Sequence, residues 1–119
     1  MKNKTIMVIF LVLLILGLIS FLLIEKIPPS TNTRNRMSGI ELRIRKYVKD
    51  NGKLPPSLSY LPERPGYNNS TKDGWGNEIS YHHEDHKVFL ASYGKDGKIG
   101  GEAENADLSK NFTLEEPNE

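Results

Sequence analysis

The chain has 119 residues, with 16 Lys/Arg, 15 Asp/Glu and three His, so it lacks the basic excess of a nucleic-acid-binding protein. It contains no cysteine, which excludes a disulfide-stapled fold, a thiolate metal site and a cysteine nucleophile. The near-neutral total hides an asymmetry. Residues 27–95 carry eleven Lys/Arg against seven Asp/Glu, whereas residues 96–119 carry two against seven, so a cation is wanted at the acidic end.

Residues 6–24 hold nineteen uncharged side chains, interrupted only by Gly17 and Ser20. As a helix this run is ~28 Å long, close to the ~30 Å hydrocarbon core of a bilayer. A buried core helix normally keeps a polar face, and this run has none. A cleaved signal peptide has a shorter apolar region and small residues at its cut site, and the segment Ser20-Phe-Leu-Leu-Ile-Glu-Lys-Ile offers no such site. The expectation is an uncleaved single span at residues 6–24. Lys2 and Lys4 precede it and Glu25-Lys26 follow, which places residues 1–5 in the cytoplasm and the rest outside.

Ile27-Pro-Pro-Ser-Thr-Asn-Thr follows the span. Two prolines disfavour helix in the residue before them and the polar residues favour turns, so residues 25–35 read as a linker. From about Asn35 to Asp50, Met37, Ile40, Ile44, Tyr47 and Val48 recur at spacings of three and four. This pattern predicts an amphipathic helix that stops at Asn51-Gly52. Arg43, Arg45, Lys46 and Lys49 suit the last turns of that helix better than they make a binding patch. Residues 54–69, with four prolines, read as loop.

Two runs, Glu78-Ile-Ser-Tyr-His and Lys87-Val-Phe-Leu-Ala-Ser-Tyr, predict a β-hairpin. A glycine- and acid-rich loop comes next, and residues 109–119 read as a flexible acidic tail. His82, His83 and His86 lie near the hairpin turn. Strand alternation sends neighbouring side chains to opposite faces, and a zinc site needs further ligands, so they do not read as a metal site.

Three motifs stand out. They are Tyr47-Val-Lys-Asp-Asn-Gly-Lys-Leu-Pro, then Thr71-Lys-Asp-Gly-Trp-Gly-Asn-Glu-Ile-Ser-Tyr, and finally Ser92-Tyr-Gly-Lys-Asp-Gly-Lys-Ile-Gly-Gly-Glu-Ala-Glu-Asn-Ala-Asp-Leu. In this order they resemble the C-terminal domain of the major pseudopilin of bacterial type II secretion. That family has a D-N-G-x-x-P helix end, a D-P-W-G-N-P turn and an S-x-G-x-D-G-x-x-G-G-x-G-E-N-A-D loop.

The resemblance implies an α+β architecture. A pilin-like head at residues 36–108 would pack one amphipathic helix on a small antiparallel sheet and close it with a calcium-binding loop. The motif match implies as ligands the backbone carbonyl of Tyr93 and the side chains of Asp96 and Asp107. Asn105 or a carbonyl of Gly100–Gly101 would complete the shell. The residue chemistry agrees, because carboxylates and backbone carbonyls are the hard oxygen donors that calcium takes. The loop lacks the EF-hand pattern. Within the second motif, Asp73 is expected to order the turn by accepting backbone amides, and Trp75 to pack in the core beside the hairpin.

No nucleophile elbow or phosphate loop is present, and nothing sets a substrate between Glu102 and Glu104, so no enzyme is expected. The implied protein is a non-enzymatic component of a type II secretion machine. It would sit in the bacterial inner membrane with its head in the periplasm and act on other pseudopilins or machine proteins, not on nucleic acid or a small-molecule substrate. The family's leader and its F-T-L-I-E start are not matched here, since Gly17-Leu-Ile-Ser-Phe falls inside the apolar run. That departure gives the alternative expectation, a stand-alone membrane-tethered envelope module that reuses the pseudopilin head.

Overall fold

Residues 2–24 and 26–115 are described by a computed structural model of the chain. Helix α1 spans Lys2–Leu23, so it begins ahead of the apolar run and includes the lysines before it. None of its residues is buried against the rest of the chain, and it is long and apolar enough to cross a membrane.

Helix α2 spans Pro29–Asn51 and so starts inside the stretch expected to be a linker. Proline tolerates this place because its fixed φ suits the first helical turn, where its missing N–H loses no bond. The Ser-Thr-Asn-Thr that follows resists helix locally, and a tertiary contact holds it. Thr33, fully buried, donates its hydroxyl to Pro29 O at 2.7 Å and accepts the Gly74 N–H at 2.9 Å. The helix ends as expected at Gly52, whose φ is 71° and whose N–H reaches Val48 O at 2.7 Å.

Strands β1 (Ser80–Glu84), β2 (Lys87–Ser92) and β3 (Leu108–Thr113) form an antiparallel meander in the order β1-β2-β3. With α2 packed on it, this is the α+β pilin-like arrangement. The hairpin turns at Asp85-His86, where Asp85 takes a φ of 50° that Asp tolerates. β3 corrects the expectation of a flexible tail from residue 109: Leu108 to Thr113 pair along the whole of β2. Residues 116–119, the end of that expected tail, lie outside the described residues.

One face of the sheet meets α2. Val88 and Leu90, fully buried, join Met37, Ile40 and Ile44 of α2 together with Leu58, Leu61, Ile79 and Leu114. Burying side chains of this size contributes about 1.5–3 kcal/mol each. Tyr81 lies at the margin of this core and donates its hydroxyl to Pro55 O at 2.9 Å. Burial, with the nearby Tyr47, raises its phenol above the ordinary range.

Two polar devices tie α2 to its surroundings. Lys110 of β3 reaches Glu41 at 3.1 Å, while Arg45 also binds Glu41 and lies over the Phe112 ring. Arg43, which is buried, donates to the carbonyls of Pro62, Asn69 and Leu61 and so pins the proline-rich loop to the helix. Trp75 departs from expectation, being half-buried and outside the core cluster. Its turn packs on the start of α2, where Thr33 holds Gly74. On the hairpin, His82 stacks on Phe89 while His83 lies beside Tyr81, which places the two histidines on opposite faces.

Candidate functional site

The second and third motifs meet at one buried carboxylate. Asp73 has no solvent exposure. Its Oδ1 accepts the N–H groups of Trp75 at 3.0 Å and Asn77 at 2.9 Å, and its Oδ2 accepts the Ser92 hydroxyl at 2.7 Å. The first two bonds order the turn, as expected. The third, which sequence reasoning missed, fastens the turn to the end of β2, where the acidic loop begins. Asn77 adds a further tie by donating its side-chain amide to Gly94 O at 3.1 Å. Ser92 and Asn77 both stand in the quoted motifs, but only the fold shows that one serves the other's loop.

From Gly94 to Asp107 the chain folds back on itself. Lys95 N–H reaches Glu104 O at 2.8 Å, and the Lys95 ammonium lies 3.3 Å from Glu104 Oε2. Gly94 and Gly101 have φ of 72° and 106°, and a Cβ on either would come within 3 Å of the Asn105 backbone. Only glycine permits both the positive φ and that approach. The loop is thereby closed around Asn105.

The expected ligand residues fall into two places. Asp96 and Asn105 line one open hollow with Lys95, Glu102, Ala103 and Glu104. Asp107, just before β3, instead takes the Gly100 N–H on both carboxylate oxygens at 3.0 Å. Asp96 accepts the Lys98 N–H at 3.1 Å, and Tyr93 follows directly on β2, half-buried. No hydrogen bond links Asp96 to Asp107 or Asn105 among the described residues. Nor, among those residues, do three or more His, Asp or Glu side chains gather as a metal cluster. The expected set does not require such a cluster, since it combines two carboxylates with amide and carbonyl oxygens. Its all-oxygen chemistry, in a loop that glycines close on a backbone carbonyl, suits a hard cation.

The sequence model of the family described as Type II secretion system (T2SS), protein G, matches residues 28–111. The chain belongs to this family. The match takes in α2, the Asp73 turn, the hairpin, the acidic loop and most of β3, and it begins at the proline preceding α2. The family is that of the major pseudopilin, a structural component of the secretion system. No curated protein matches the sequence.

Proposed function

We propose that the chain is a single-pass inner-membrane component of a type II secretion machine. Its N-terminus is cytoplasmic and its head periplasmic, and it acts by binding other pseudopilins or machine proteins. The observation that carries this reading is the family match across residues 28–111. The exposed apolar helix α1 supports the anchor, and Lys2 and Lys4 before it support the orientation. No step of catalysis belongs to this role.

The acidic loop would hold one calcium ion through the Tyr93 carbonyl, the Asp96 and Asp107 carboxylates and Asn105. When bound, the ion supplies charge neutralisation among these oxygens. The supporting features are the oxygen-only donor set and the glycine-closed loop. With a Kd of order 10⁻⁴–10⁻³ M, typical of extracellular modules, 10 mM calcium stabilises the head by about 1.4–2.7 kcal/mol. Thermal unfolding of the full chain in detergent, with calcium and with chelator, tests this. A rise in Tm that Asp107→Asn abolishes supports it, and an unchanged Tm contradicts it.

One observation favours a second reading. α1 ends at Leu23 and α2 begins at Pro29 as a separate helix, which suits a tethered envelope module better than a continuous filament spine. Gentle co-purification from native membranes separates the two. Recovery with secretion-machine components supports the first reading, and recovery with unrelated envelope proteins alone supports the second.

A further inference from the structure

The turn that carries Trp75 is built onto the base of α2. A Cβ on Gly74 would collide with the Pro29 backbone carbonyl, so the two backbones are in direct contact. Arg36 reinforces the placement by donating to the carbonyls of Lys72 and Asp73. Pro29 in turn lies five residues beyond Ile24, the last of the apolar run, and a chain of that length reaches at most ~18 Å. Ile27, between them, is apolar and 58% exposed. Covalent connection therefore keeps the turn close to the point where α1 leaves a membrane, whatever the angle between the helices.

The chemistry of this base suits the boundary between lipid and water. Trp75 is half-buried, and its indole N–H has no partner among the described residues. Indole rings favour the headgroup level, where one edge is apolar and the N–H is wet. Lys26 and Lys72 are exposed, and their charged groups are likewise unpaired among the described residues. Glu25 precedes Lys26, and residues 26–40 contain no further carboxylate. The Asp73 carboxylate within the turn is buried and occupied by its own donors, and Glu78 pairs with Lys72 across an isolated β-bridge. The surface thus offers an indole, an exposed isoleucine and two lysines for phosphate oxygens.

We propose that this base, formed by Ile27, Lys72 and Trp75, is a lipid-binding surface that seats the head on the headgroups of the bilayer α1 crosses. The proposal rests on α1 being a membrane span and not on the secretion role. Seating fixes how the head is presented before it meets a protein partner.

Trp75 is the only tryptophan, so its fluorescence reads the contact without any substitution. The full chain is reconstituted in phosphatidylcholine vesicles, and protein floating with the vesicles is taken for measurement. The lipids are either unlabelled, brominated near the headgroup, or brominated near the chain ends. Headgroup-proximal bromine is expected to at least halve Trp75 emission, with little effect from deep bromine. Lys72→Glu, an exposed position, should restore part of the emission. Equal emission in all three lipids, in protein that floats with the vesicles, would overturn the proposal.

Discussion

Ser92 Oγ donates to Asp73 Oδ2 at 2.7 Å, and neither residue is exposed to solvent. This bond joins the Asp73 turn, which rests on the start of α2, to the strand end from which the acidic loop departs. Asp73→Ala leaves the Ser92 hydroxyl and the N–H groups of Trp75 and Asn77 without their acceptor. The buried Ser92 hydroxyl alone costs about 1–3 kcal/mol when orphaned, and the two part-buried N–H groups add to it, so the loss should be about 3 kcal/mol. Ser92→Ala removes one donor to Asp73 and the long 3.4 Å acceptor of the Gly94 N–H, and should cost about 1–2 kcal/mol. Thermal unfolding followed by Trp75 emission distinguishes the two, and equal losses would contradict this division of roles.

The glycines of the acidic loop are not equivalent. An alanine at Gly94 meets the Asn105 backbone at 2.7 Å, whereas at Gly100 it meets nothing within 4 Å, although both have positive φ. Gly100→Ala should cost about 1 kcal/mol of backbone strain, and Gly94→Ala clearly more because the clash adds to the strain. Denaturant midpoints measured on the two variants check the order.

Arg43 supplies three donors to three carbonyls in the 61–69 loop and has no carboxylate in that set. Burial, the leading influence, lowers its guanidinium below the ordinary range. Lysine cannot reproduce the planar fork, so Arg43→Lys should destabilise the head by about 2–3 kcal/mol. Faster hydrogen exchange should be concentrated in residues 61–69. Exchange that accelerates evenly over the head would argue against a local brace.

Glu41 links the head's stability to acid pH. Burial alone would raise its carboxyl, but hydrogen bonds from Arg45 and Lys110 outweigh this and hold it below the ordinary 4.5. The unfolded chain therefore binds this proton first as pH falls. The stabilisation is complete above about 4.5 and is lost as pH drops through the lower folded value. Glu41→Gln should be less stable than the parent at neutral pH, and the difference should shrink in acid. Parallel pH-stability curves would contradict the assignment.

Much of this fold is legible in local pattern. Met37, Ile40 and Ile44 mark the buried stripe of α2 at helical spacing, and Val88 and Leu90 mark the inward face of β2. Asp73 announces its turn because Asp accepts nearby amides wherever it stands. What escaped the sequence depends on distant partners. Leu108-Ser-Lys-Asn-Phe-Thr has too few apolar residues to declare a strand, and becomes one by pairing with β2 while Lys110 reaches Glu41. Pro29 to Thr33 reads as linker until Gly74 is seen bonded to Thr33. Trp75 reads as core mass, yet its turn is held at the foot of the helix. Of the acidic loop, residue types and order are legible in the sequence. The closure of Gly94 and Gly101 on Asn105 is not, because it depends on where the loop's two ends meet.

The most direct measurement of the central claim is export by the host's type II secretion machine with the chain deleted and then restored. Deletion should leave the exported proteins trapped in the periplasm. The wild-type chain should restore export, and Asp73→Ala, which loosens the head, should restore it poorly. Undiminished export in the deletion strain would contradict a role in that machine.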